Sequence, residues 1–212
     1  GRVLDLRDTL KSLGDNHFTT FSEKELPGFL KRLDNYTGAA QTRIALQLLM
    51  QTFVRPSELA GATWDEFNLD ASEWRIPAER MKMRHPHIVP LATQVVILLG
   101  ELHTLTSYSP FLFPGERAPL SKPMARDTLS KALRSMGYQG QATPHGFRAM
   151  ASTMLNEMGF RPDVIERQLA HKERNKVRAA YHRAQYLSER AKMMQHWADY
   201  LNDFAHGSKV IP

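Results

Sequence analysis

The chain has 212 residues, a length that suits one domain or one domain with a short appendage, and 42% of them are hydrophobic, enough for a real core. Lysine and arginine outnumber the acids, 28 to 22, and the formal charge of +6 suggests a polyanionic partner such as nucleic acid. The lack of cysteine excludes disulfides, thiolate nucleophiles and cysteine-based zinc sites and fits a cytoplasmic protein, and no apolar run is long enough to predict a membrane span.

Residues 1–20 are expected to be an arm or linker. Their first fifteen are charged throughout and do not read as a signal peptide, and the start at Gly1 suggests a piece of a longer protein. Residues 22–33 predict a short helix. The run AAQTRIALQLLMQTF over 39–53 is apolar at helical spacing through Ile44, Leu48, Leu49 and Phe53. It should stop at Arg55, because the residue before a proline is pushed out of helical geometry, and a second helix can restart at Pro56.

The middle changes character. Glu73–Pro77 and His87–Leu91 are short and β-prone, with ERMKMRHP between them, which predicts a β-hairpin with a basic tip. Helix signals then resume. Thr93 is expected to cap TQVVILLGEL. Pro123 opens a helix through Met136 that Gly137 ends; Thr143-Pro144 opens another that Gly159 ends; Pro162 opens a third that reaches Ala170. A further helix is expected over 174–185, and a last one from a Ser188 cap to about Phe204. The last carries a stripe of Met193, Trp197, Tyr200 or Leu201, and Phe204 that must bury itself, on its own domain or on a neighbouring subunit. The expected class is mainly α with a small β-hairpin or sheet.

Several polar residues sit where structure alone does not demand them: Arg55 after an apolar helix, Lys82 in the hairpin, His145 and Arg148 in HGFR at a helix start, His171 after RQLA, and Tyr181 ten residues later. Two arginines can clamp one phosphate through their fixed forks of donors. Histidines at a helix start can donate to phosphate oxygens or move protons. A hairpin lysine can protonate a leaving group. A tyrosine phenol becomes an oxygen nucleophile once a positive cluster helps remove its proton. Taken singly, each has a plainer reading as a cap, a surface pair or a solvated side chain. Together they describe metal-free phosphoryl transfer, with arginines stabilising the pentavalent transition state. There is no H-E-x-x-H motif and no clear acidic cluster for a metal nuclease.

Arg55 with Glu58-Leu59, Lys82 between two strands, His145-x-x-Arg148, His171 and Tyr181 resemble, in order and spacing, the tyrosine recombinase or phage integrase family. The contexts RPSELAGATWDEF, PHGFR and AAYHRAQYLSER are most similar to bacterial prophage and genomic-island integrases, and the resemblance covers roughly 15–205. It implies the catalytic-domain fold of that family over 21–187, with 188–212 as a C-terminal helix and tail that can dock on a neighbouring subunit. It implies that Tyr181 forms a 3′-phosphotyrosine and releases a 5′-hydroxyl. Arg55 and Arg148 would hold the non-bridging oxygens, His145 and His171 assist, Lys82 protonate the 5′ oxygen and Glu58 support the site. No cofactor or metal is implied. The implied partner is double-stranded DNA carrying attachment sites, bound by a homotetramer with DNA-bending accessory proteins, in the bacterial nucleoid. Arg80 and Arg84 compete with Lys82, and Tyr186 with Tyr181. The rival functions are a type IB topoisomerase-like enzyme and a non-catalytic DNA-binding domain.

Overall fold

The computed structural model describes residues 21–171 and 186–206. The expected arm over 1–20, the expected helix over 174–185 and the tail after 206 lie outside them. Among the described residues eight α-helices surround one small sheet. They are α1 (Leu26–Asp34), α2 (Ala40–Thr52), α3 (Pro56–Ala60), α4 (Thr93–Thr106), α5 (Thr128–Ser135), α6 (Gly146–Glu157), α7 (Pro162–Gln168) and α8 (Leu187–His206). None is long and apolar enough to cross a membrane.

The sheet has three antiparallel strands, β1 (Phe67–Asn68), β2 (Glu73–Ile76) and β3 (His87–Pro90), in the order β1-β2-β3. The expected hairpin is β2 and β3, with Trp74 opposite Val89 and Ile76 opposite His87. The two-residue β1 was not expected from the sequence; it is too short for a period-two pattern to register. Trp74 and Ile76 alternate inward from β2 and join the core, which extends through Phe29, Phe53, Phe113, Phe147 and Trp197.

Most helix boundaries follow the punctuation in the sequence. Pro56 and Pro162 stand at the first position of α3 and α7. Gly137 and Gly159 follow α5 and α6 with φ of 88° and 82°, which a residue with a Cβ adopts at a cost. Thr143 Oγ1 accepts the Gly146 N–H at 3.0 Å, so the Thr-Pro step does open α6, with the helix itself starting at Gly146.

Three expectations are corrected, the first being that Ser188 lies inside α8, which begins at Leu187, and does not cap it. Pro123 does not open α5. It pairs instead with Pro114 in an isolated antiparallel bridge, Met124 N donating to Phe113 O at 2.7 Å, and the helix begins at Thr128. A proline that suits a helix start suits a strand edge equally well, since its missing N–H faces no partner there. Thr93 does not cap α4. Ala92 holds that position, and Gln195 of α8 accepts from Thr93 N at 2.9 Å, so the orphan N–H is satisfied from a distant helix.

The C-terminal stripe finds its cover within the chain. Met193, Met194, Trp197 and Leu201 are buried, and Trp197 Nε1 donates to Met50 O of α2 at 2.9 Å. Helix α8 contacts α1, α2, α4, α7 and β3, so residues 187–206 belong to the same core as the rest. Its most buried polar residue is Arg190, which donates to Gln168 Oε1 at 2.7 and 3.0 Å and to Ile88 O, joining α8 to α7 and β3.

Candidate active site

Helix α2 ends at Thr52, and Phe53 takes the left-handed conformation at φ 39° and ψ 34°. Helix α7 ends in a Schellman turn: Ala170, at φ 50°, donates to Arg167 O at 3.2 Å, and His171 N donates to Glu166 O at 3.1 Å. Neither left-handed residue is glycine, so each conformation costs about 1–2 kcal/mol that surrounding contacts must offset. Both turns release carbonyls from helix C-termini, where the helix dipoles concentrate negative potential.

Those carbonyls receive two arginines. Arg148 projects from the first turn of α6, is 4% exposed, and donates through Nη1 to Phe53 O at 2.5 Å and through Nη2 to Leu169 O at 2.7 Å. Burial, then the neighbouring Arg55 charge, pulls its guanidinium down to about 10, which still leaves it cationic at neutral pH. Arg55 sits immediately before α3. It donates through Nη2 to Ala170 O at 3.3 Å and through Nη1 to Glu58 Oε1 at 2.8 Å. Glu58 also accepts the Arg55 backbone N–H at 3.0 Å, so one buried carboxylate caps the helix and aims the arginine. Two like charges held this close by oriented dipoles make a site for an anion.

His171 closes one side. Its Nε2 lies 3.4 Å from Arg148 Nη2, and its Nδ1 lies 2.8 Å from Glu166 Oε2. His145, just before α6, is half-buried. Burial, followed by the charges of Arg148, Arg55, His171 and Lys82, holds its imidazole below the usual range, so it is neutral at pH 7. That list of charges places Lys82 within electrostatic reach of His145. The structure therefore gathers Arg55, Glu58, Lys82, His145, Arg148 and His171 in one region, while Tyr181 lies outside the described residues.

Of the basic residues that compete with Lys82, Arg80 turns away and Arg84 stays exposed as Lys82 does. Arg80 turns inward and donates to Gly61 O at 2.6 Å and to the Glu58 carbonyl, and pairs with Glu66 at 3.0 Å. It fastens the hairpin to the end of α3, so the expected basic tip is only partly a solvated face. Lys82 remains exposed beside it. Tyr186 sits under Arg161, 5.2 Å from the ring centroid, and bonds Asp163. Those partners stand at the start of α7, about 10 Å of helix from the turn that carries His171.

Sequence reasoning passed over Glu166 and the three carbonyls. Glu166 precedes His171 by five residues, the separation that a Schellman turn brings together; Ala170 in place of the usual glycine concealed that turn. The buried His87, whose Nε2 donates to Gln168 O at 3.1 Å, was also missed. Burial and the Arg190 charge push it down to about 3.

Fold and site together define a mainly helical α+β domain in which Arg55 and Arg148 meet the carbonyls where α2 and α7 end, beside the start of α6. Residues 19–187 match the sequence profile of the Phage integrase family, and the chain belongs to that family, the tyrosine recombinases. It is 45% identical to the integrase of Enterobacteria phage P4, an alignment that covers 93% of this chain and 48% of that protein. It is 42% identical to the prophage integrase IntA of Escherichia coli, over 88% of this chain and 45% of that one. The chain thus spans about half the length of these relatives. Among solved structures, XerH recombinase bound to its difH substrate aligns with a TM-score of 0.60 at 19% identity, over 82% of this chain and 53% of that one. XerA recombinase aligns at 0.58 and 19% identity, over 99% and 70%. At that level of identity the match establishes the shared fold.

Proposed function

We propose that this chain is the catalytic domain of a site-specific DNA recombinase that cleaves and rejoins DNA through a 3′-phosphotyrosine at Tyr181. The observation that carries this reading is the pair Arg55 and Arg148, held side by side by three helix-end carbonyls. Like charges are placed together at a cost, and an anion that neutralises both recovers it. A phosphodiester in the trigonal-bipyramidal transition state has non-bridging oxygens for both forks.

In this reading the Tyr181 oxygen attacks phosphorus, the bond to the 5′ oxygen breaks, and Lys82 gives that oxygen a proton. His145 and His171 hydrogen-bond the phosphate and move protons. Glu58 acts through Arg55. The positive charge comes from side chains, and no metal or cofactor is assigned. A 5′-hydroxyl from a second DNA then reverses the attack and exchanges strands, with the bond energy conserved in the phosphotyrosine. Residues 21–187 form the catalytic unit, 1–20 serve as a linker and 188–212 as a C-terminal helix and tail. The partner is double-stranded DNA with attachment sites, bound by four copies with DNA-bending accessory proteins, in the bacterial cytoplasm and nucleoid.

The XerH relative, described as bound to difH in a pre-cleavage complex, supports the DNA assignment. The integrase names of the sequence relatives favour strand exchange over topoisomerase-like relaxation. The test uses a duplex of the attachment core nicked beside the scissile phosphate, in excess EDTA. A protein–DNA adduct that survives denaturation is expected, and Tyr181→Phe should lose it while still binding DNA. An adduct formed by the Phe variant overturns the nucleophile, and loss of the adduct in EDTA alone overturns the metal-free mechanism.

A further inference from the structure

We propose that Glu166 is a positioning residue for His171: it fixes the ring's proton on Nδ1 and holds Nε2 against Arg148 in the arginine pair. This inference rests on the recombinase reading of the site.

The hydrogen-bond pattern sets the tautomer. Arg148 has donors only, so the 3.4 Å approach of its Nη2 leaves His171 Nε2 as the acceptor. The carboxylate of Glu166 has acceptors only, so the 2.8 Å contact at Nδ1 requires a proton there. The two requirements agree on one neutral form of the ring. The same two residues are joined a second time through the backbone, His171 N to Glu166 O, across the left-handed Ala170. The ring is therefore held at both its root and its Nδ1 edge.

Stability does not account for this pair. The side chains of Glu166 and His171 are 54% and 46% exposed, and exposed ion pairs contribute little to folding. Glu166 does act on the arginine pair, because its charge counters the loss of cationic character at Arg148. A carboxylate that orients an imidazole and then stabilises the imidazolium is the arrangement that activates hydroxyl nucleophiles in hydrolytic triads.

Two measurements test this separately from the reading beneath it. Long-range 15N–1H NMR of the histidine-labelled chain, without DNA, should show His171 in the Nδ1–H tautomer, and Glu166→Ala should shift it toward Nε2–H with the fold intact. On the nicked attachment-core duplex at saturating protein, Glu166→Ala should slow adduct formation by about 10- to 100-fold at unchanged DNA affinity, by analogy with losing the hydrogen-bond partner that orients a metal-ligating histidine. Glu166→Gln, which keeps an acceptor without the charge, should recover part of the rate. An unshifted tautomer in Glu166→Ala overturns the positioning role, and so does an unchanged adduct rate in that variant. If the wild-type chain binds the duplex and forms no adduct, the recombinase reading fails while the tautomer result stands on its own.

Discussion

Arg148 Nη1 donates to the carbonyl of Phe53 at 2.5 Å, a contact between residues 95 positions apart, and Phe53 presents that carbonyl only because it is left-handed. The arginine is thus a buried structural strut as well as one half of the proposed phosphate clamp. Arg148→Lys keeps the charge but cannot reach Phe53 and Leu169 together and still offer a fork. We expect adduct formation to fall by about 10²–10³-fold. Thermal unfolding should also show a loss of about 1–3 kcal/mol, from a carbonyl left without its donor. Unchanged melting together with slowed cleavage would confine Arg148 to the chemistry.

Glu58 performs two local tasks, capping α3 and pairing Arg55 at 2.8 Å while only 3% exposed. Arg55 itself is 16% exposed, so water screens part of the loss when its partner is removed. Glu58→Ala should destabilise the domain by about 1–3 kcal/mol in urea unfolding. Cleavage should fall further than stability explains, since Arg55 is no longer aimed. Glu58→Gln should retain the cap and most of the stability.

His87 makes stability depend on pH. Folded, burial keeps its ring neutral until about pH 3; unfolded, it takes a proton near 6.5. Between those values the unfolded chain binds the extra proton. Stability attributable to this group is therefore complete above about pH 6.5 and is lost as pH falls toward 3, by up to about 1.4 kcal/mol per unit. Urea midpoints at pH 7 and pH 5 should differ more in the wild type than in His87→Gln. Equal differences would show that other groups set the slope.

Arg190 fastens α8 to the turn that holds the arginine pair. It is fully buried, burial pulls it down to about 9, and its bonds to Gln168 and Ile88 tie α7 and β3 together. Gln168 is the last residue of α7, next to the carbonyls of Leu169 and Ala170 that receive Arg148 and Arg55. Arg190→Ala leaves a cavity and the Gln168 and Ile88 oxygens without their donor and should cost about 3–5 kcal/mol, while Arg190→Met, which refills the volume, should cost less. Chemical denaturation gives the ordering; equal losses would mean that the lost hydrogen bonds, and not the cavity, set the cost.

Much of the architecture is legible in the sequence. Pro56, Pro162, Gly137 and Gly159 marked helix ends because a missing N–H or Cβ constrains the backbone wherever it stands. The order of polar residues from Arg55 to His171 marked the family. Pro123 misled, because a proline start suits a helix and a strand edge alike, and its choice rested on Pro114 across the chain.

Sequence alone therefore determined the class, most of the helices and the identity of the polar set, since each depends on local chemistry or on order along the chain. Tertiary structure decided how that set is held. Arg148 reaches Phe53 and Leu169, Arg55 reaches Ala170, and Arg190 reaches Gln168, all across long separations. Backbone carbonyls carry no signature of residue type, so the acceptors that aim both arginines become visible only when the helix ends meet. Glu166 was hidden for a related reason: it pairs with His171 through a left-handed turn at Ala170, a conformation that alanine does not announce.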